Sequence, residues 1–133
     1  MNQMNQNETS ITNEDSIHSE LTDSIFDWKG LLHRLMGDED LAKEIISDFM
    51  KQIPFNFTAI KDALNKQDLS LVKREAHIIK GASGNVGALT LQEIAKLIEA
   101  ACEEKDLAEA GSLVAKLDAQ LENLKNKLTQ FEG

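Results

Sequence analysis

Between Leu107 and Phe131, apolar residues fall at 107, 110, 114, 117, 121, 124, 128 and 131, stepping alternately by three and four. That spacing draws one narrow apolar stripe along an α-helix and is incompatible with the period of two that a half-buried strand needs. Such a stripe needs cover along its whole length, from neighbouring helices of the same chain or from a second chain in a coiled coil. Few β-branched residues lie on it, and the apolar helical segments that precede it need cover themselves, so the intramolecular arrangement is favoured. Aromatics at 5%, one proline and no tyrosine argue against a sandwich or barrel. The expected fold is all-α: an antiparallel up-down four-helix bundle with a short extra N-terminal helix.

Helix punctuation upstream supports the same architecture. Asp27 is placed to cap a short helix from Trp28 to Met36 that ends at Gly37, with Phe26 stapled onto Leu31. Asp38 caps a second helix, with apolar residues at 41, 42, 45, 46, 49, 50 and 53. Pro54 is expected to kink or restart it, because proline lacks the backbone donor. Asp68 caps a third helix, from about Leu69 to Val86. Thr90 to Glu93 reads as a capping box opening a fourth, and Asp106 to Glu109 as the start of the last. Phe49, Phe55 and Phe57 are read as bundle core or as an apolar docking surface, a choice the sequence leaves open.

Residues 1–22 differ in kind. They hold four Asn, two Gln and four acidic residues, with no Lys, Arg or aromatic. Too little apolar surface is available there to offset the entropy of ordering, so this segment is read as a disordered acidic tail or linker and residues 23–133 as the domain. The formal charge is −9, from 14 Lys+Arg against 23 Asp+Glu. Removing the tail's four acids leaves −5 on the domain, so nucleic acid and anionic lipid are unsuited as partners. Cys102 is the sole cysteine, which excludes an internal disulfide and a multi-thiolate metal site, and no local His/Cys spacing suggests metal ligation. No apolar run approaches the roughly 20 residues of a membrane span, and no signal-peptide pattern opens the chain. The expectation is a cytoplasmic monomer.

The third helix carries the chemistry. On the face of His77, the residues at i−4, i−3, i+3, i+4 and i+7 are Lys73, Arg74, Lys80, Gly81 and Gly84. Every charged side chain in that patch is cationic, on an acidic domain. Each helical glycine costs about 0.8–1 kcal/mol relative to Ala, a cost that suits a place where something must approach the backbone closely. Gly81 and Gly84 are therefore candidates for partner access, and Lys73 and Arg74 for docking. Neutral imidazole leaves one ring nitrogen free as a nucleophile. Cations beside it would stabilise a transferring phosphoryl group. No carboxylate stands next to His77 in this helix, so general-base help from within the helix is not evident. A phosphate-binding glycine loop is missing as well, so direct use of ATP is not expected.

The segment from Ala76 to Ala88, AHIIKGASGNVGA, resembles the signature of histidine-containing phosphotransfer (HPt) domains, AH-x-x-KG-[AS]-[SA]-x-[NSTA]-[LIV]-G. Phe26-Asp27, Gly37-Asp38, Phe49, Pro54 and Leu97-Ile98-Glu99 extend the resemblance over residues 24–130. The resemblance implies that His77 is phosphorylated on Nε2, that Lys80 steadies the phosphoryl group and that Gly81 leaves room for the partner. It further implies that donor and acceptor are aspartates of response-regulator receiver domains, which bring the Mg²⁺, and that a hybrid sensor histidine kinase can be a partner. The module would then be a phosphorelay component without ATP-dependent kinase activity of its own. Two alternatives are a helical docking module for receivers or kinases that is never phosphorylated, and the phosphoacceptor part of a chemotaxis-type kinase.

Overall fold

A computed structural model describes residues 25–132, with side chains described through Thr129. The acidic tail, 1–22, lies outside the described residues, as does the side chain of Phe131. Five helices follow in order: α1 (Trp28–Arg34), α2 (Glu39–Asn65), α3 (Leu69–Val86), α4 (Leu89–Glu103) and α5 (Leu107–Glu132). The connections between the last four are only two or three residues long, so consecutive helices run antiparallel. α3 packs between α2 and α4, α4 between α3 and α5, and α5 returns to α2. This is the expected bundle with one short helix added at its N-terminus.

The stripe on α5 is satisfied inside the chain: Ala110, Val114, Leu117, Leu121, Leu124 and Leu128 are all buried. They join Ile46, Ile53 and Ile60 of α2, Val72, Ala76 and Ile79 of α3, and Leu91, Ala95 and Ile98 of α4 in one core. Each fully buried Leu or Ile contributes about 1.5–3 kcal/mol relative to staying exposed. Phe49 and Phe57 belong to this core, whereas Phe55 points outward and is 71% exposed. The phenylalanines therefore divide between the two readings, because position 55 lies opposite 53 and 57 on the helix.

The turns share one design. After α2, the N–H of Asp68 donates to the carbonyl of Ala63 and that of Gln67 to Leu64; after α4, Asp106 donates to Ala101 and Lys105 to Cys102. Both are Schellman closures, with Gln67 and Lys105 in the left-handed region at φ 57°. In each turn the following Asp also caps the next helix, its Oδ1 accepting from the N–H of Leu71 and of Glu109. Asp27 and Asp38 cap α1 and α2 in the same manner, accepting from Gly30 and Leu41.

Two expectations need correction. α2 runs unbroken through Pro54 rather than restarting. Core residues on both sides of the proline, Ile53 and Phe57, are buried on the same face and hold the helix together. The capping box at Thr90 does not open α4, which begins at Leu89 after Ala88, a cap without a side-chain hydrogen bond. The turn is shorter than the box assumed: Gly87 takes φ 82° and the N–H of Ala88 already donates to Ser83. Ala88 is itself fully buried, where a polar cap would be costly.

α1 is fastened across this turn. The N–H of Asp27 donates to the carbonyl of Gly87 at 2.8 Å, and the Arg34 guanidinium donates to the carbonyl of Asn85 at 3.1 Å. α1 thus covers the end of the bundle where α3 stops, while the turns carrying Lys66 and Lys105 lie at the other end.

Candidate functional site

α3 buries Val72, Ala76, Ile79 and Ser83 and so turns His77 outward, with its side chain 70% exposed. The ring is nevertheless fixed. Nδ1 lies 3.0 Å from Oε2 of Glu99 on α4, and the other oxygen of that carboxylate, Oε1, lies 2.6 Å from Nζ of Lys80. Glu99 is 16% exposed. Burial pushes its carboxyl group up, but hydrogen bonds from Lys80 and His77 and their charges outweigh burial, and the net displacement is below the ordinary value. An ionised carboxylate only accepts, so the proton between the two groups belongs to Nδ1. In the neutral form of the ring the lone pair is then on Nε2, directed away from Glu99.

Glu99 comes from a neighbouring helix, which is why inspection of α3 alone finds no carboxylate beside His77. One signal was available. With only Gly87 and Ala88 between two antiparallel helices, a step of four back along α3 matches a step of four forward along α4. His77 faces Glu99 by that rule, and Lys73 faces Glu103, as observed. The hydrogen bond and then the charge of Glu103 hold the Lys73 ammonium above its ordinary value. Lys73 is thus tied to α4, while Arg74, on the same helical face, has no hydrogen-bond or ionic partner among the described residues. Both line, with Ser70, His77, Ile78 and Glu99, an open recess of about 420 Å³.

The two glycines differ. A Cβ on Gly81 would meet nothing within 4 Å, so no contact among the described residues explains its missing side chain. A Cβ on Gly84 would lie 2.4 Å from the Gln92 amide of α4, so packing against α4 accounts for that glycine without any partner. Gly87 is constrained twice, by its left-handed φ and by the Asp27 carbonyl, 2.9 Å from where a Cβ would stand. Among the described residues, no group of three His, Cys, Asp or Glu side chains could hold a metal ion. Cys102 is buried in the core cluster, and burial pushes its thiol up. No described helix is long and apolar enough to cross a membrane.

A family model described as the Hpt domain matches residues 44–127. Among solved structures, the fold is similar to histidine-containing phosphotransfer protein B from Pseudomonas aeruginosa PAO1. That likeness has a TM-score of 0.73 and 22% identity, covering 80% of this chain and 92% of the other. It is similar also to the HPT domain of a sensor hybrid histidine kinase from Shewanella, with a TM-score of 0.60 and 22% identity, covering 81% and 97%. No curated protein matches the sequence.

Proposed function

Because the chain belongs to the Hpt domain family, whose members serve phosphotransfer in two-component signalling, we propose that His77 accepts a phosphoryl group on Nε2 from a receiver aspartyl phosphate and passes it to a second receiver. The observation that carries this reading is the ring's setting: largely exposed, yet bound through Nδ1 to an ionised carboxylate.

In the forward step the Nε2 lone pair attacks phosphorus in line with the bond to the aspartyl oxygen. That bond breaks, its electron pair returns to the receiver carboxylate, and a phosphohistidine remains. The ring gains positive charge as Nε2 becomes substituted, and Glu99 stabilises that charge through the proton on Nδ1. Lys80 acts in two ways. Its ammonium keeps Glu99 ionised at rest, and one turn from His77 it is within reach of the transferred group's oxygens. Gly81 leaves the partner's approach unobstructed. The Mg²⁺ is assigned to the receiver, and the chain's own residues supply the nucleophile, its tautomer and the nearby positive charge.

Incubation with a phosphorylated receiver and Mg²⁺ tests the reading. The expected product carries acid-labile, base-stable phosphate and is missing in His77→Gln. Labelling of that variant, or binding of receivers without any labelling of the wild-type chain, overturns it.

A further inference from the structure

α4 has a second working flank. Glu99 and Glu103 turn toward α3, whereas Leu97, about 200° from Glu99 around the helix, turns toward α5. There an open recess of about 250 Å³ runs between α4 and α5. Its floor is apolar. Ala101 and Leu113 are buried in it, and the small side chains of Ala100 and Ala101 keep it open. Leu97 stands at the edge, 46% exposed. An exposed leucine is ordinary by itself, but this one prolongs the floor into a short apolar strip between two helices.

The rim of that strip carries one sign of charge. Glu104, Asp106 and Glu109 line the recess, and none of them has an ionic partner among the described residues. Asp106 is fixed as the cap of α5, its Oδ1 accepting from the Glu109 N–H. The cations nearest in sequence, Lys96, Lys105 and Lys116, do not line the recess. Lys105 turns instead to the opposite flank of the α4–α5 turn, beside Cys102 and Lys66. Three carboxylates around an apolar strip, on a chain of formal charge −9, attract a cationic partner and repel an acidic one.

The shape narrows the partner further. A groove between two packed helices takes a third helix, whose apolar residues three or four apart seat in it. From Leu97 to Glu104 the strip is about 10 Å long, or two turns of such a helix. We propose that the α4–α5 groove is a docking site for a short amphipathic helix of a partner protein, with Lys or Arg on both sides of its apolar stripe. Leu97 and the floor receive the stripe, while Glu104 on one wall and Glu109 on the other receive the cations. The site lies on the flank of α4 turned away from His77, so its occupant leaves the imidazole accessible, and it does not rest on the phosphotransfer reading.

The test titrates the ¹⁵N-labelled full chain with a capped, Ala-based peptide of about 15 residues carrying Leu at i, i+4 and i+7 and Arg on both flanks. Backbone amide signals of Leu97, Ala100, Glu104, Glu109 and Leu113 are expected to move. The Kd should rise about tenfold in Leu97→Ser, and about tenfold in Glu104→Gln combined with Glu109→Gln. Glu44→Gln with Asp48→Asn, exposed acids of α2 outside the groove, should leave it unchanged. Phosphoramidate should label His77 equally with and without the peptide. Equal binding of a peptide with Leu replaced by Ala, or an equal loss in the α2 control, would mean diffuse charge attraction and overturns the site. So does equal binding of a peptide with Arg replaced by Glu, or protection of His77 from phosphoramidate. Movement of the same signals with chain concentration alone would make a second copy the occupant and overturns the proposal as well.

Discussion

Nδ1 of His77 lies 3.0 Å from Oε2 of Glu99, so a surface histidine on α3 takes its tautomer from a half-buried carboxylate on α4. A fully exposed imidazole divides its proton between two nitrogens and rotates about χ2. This one is held with a single nitrogen available, and the remaining partner of the same carboxylate, Lys80, completes a three-residue network across two helices.

Glu99→Ala is expected to slow phosphotransfer to His77 by about a hundredfold, the lower end of what a group acting on a reacting imidazole's proton contributes. Glu99→Gln, whose amide oxygen still accepts from Nδ1–H, should retain more of the rate than Ala does. Ring ¹⁵N chemical shifts provide the check that a purely structural role would not move: the Nδ1–H form should predominate in the wild type and lose that predominance in the Ala variant.

Glu99 also makes stability depend on pH with a definite sign. Its folded-state value lies below its ordinary 4.5, because Lys80 and His77 outweigh burial. The unfolded chain therefore binds the proton more readily. The stabilisation is present above the ordinary value and is lost as pH falls through the lower folded one. Urea unfolding followed from pH 7 into the acid range should show a decline that is shallower in Glu99→Gln. Identical acid limbs would contradict the assignment.

Gly81→Ala should stabilise the fold by about 0.8–1 kcal/mol, since the new methyl meets nothing and α3 gains helix propensity. A bulkier residue there should leave the fold intact while slowing transfer from a receiver. Gly87→Ala should behave in the opposite sense, costing at least about 1–2 kcal/mol through its left-handed φ alone. Its Cβ would in addition crowd the Asp27 carbonyl and loosen α1. Thermal unfolding of both variants beside a transfer assay separates the two roles.

Ser83 is fully buried and its hydroxyl has no hydrogen-bond partner among the described residues. Ser83→Ala removes an unsatisfied polar group at nearly constant volume. It should raise stability by about 1 kcal/mol, within the range for relieving such a group, with phosphotransfer unchanged. A loss of stability on urea titration would mean that the hydroxyl has a partner after all.

The sequence alone determined the bundle, since an apolar stripe at three-four spacing and Asp caps at 27, 38, 68 and 106 act through neighbours a few residues away, and local rules suffice for such contacts. It also singled out His77, Lys80 and Gly81, which share one face of one helix and one family motif. Tertiary structure decided what faces that helix. Glu99 and Glu103 reach α3 only because a two-residue turn sets the register of α4, and that register tied down Lys73 while giving Arg74 no ionic partner among the described residues. It likewise gave Gly84 an internal reason in Gln92, and it brought Lys66 and Lys105, 39 positions apart in the chain, to one end of the bundle. Pairings between helices depend on how turns close and which faces pack, and these are settled by the whole core at once.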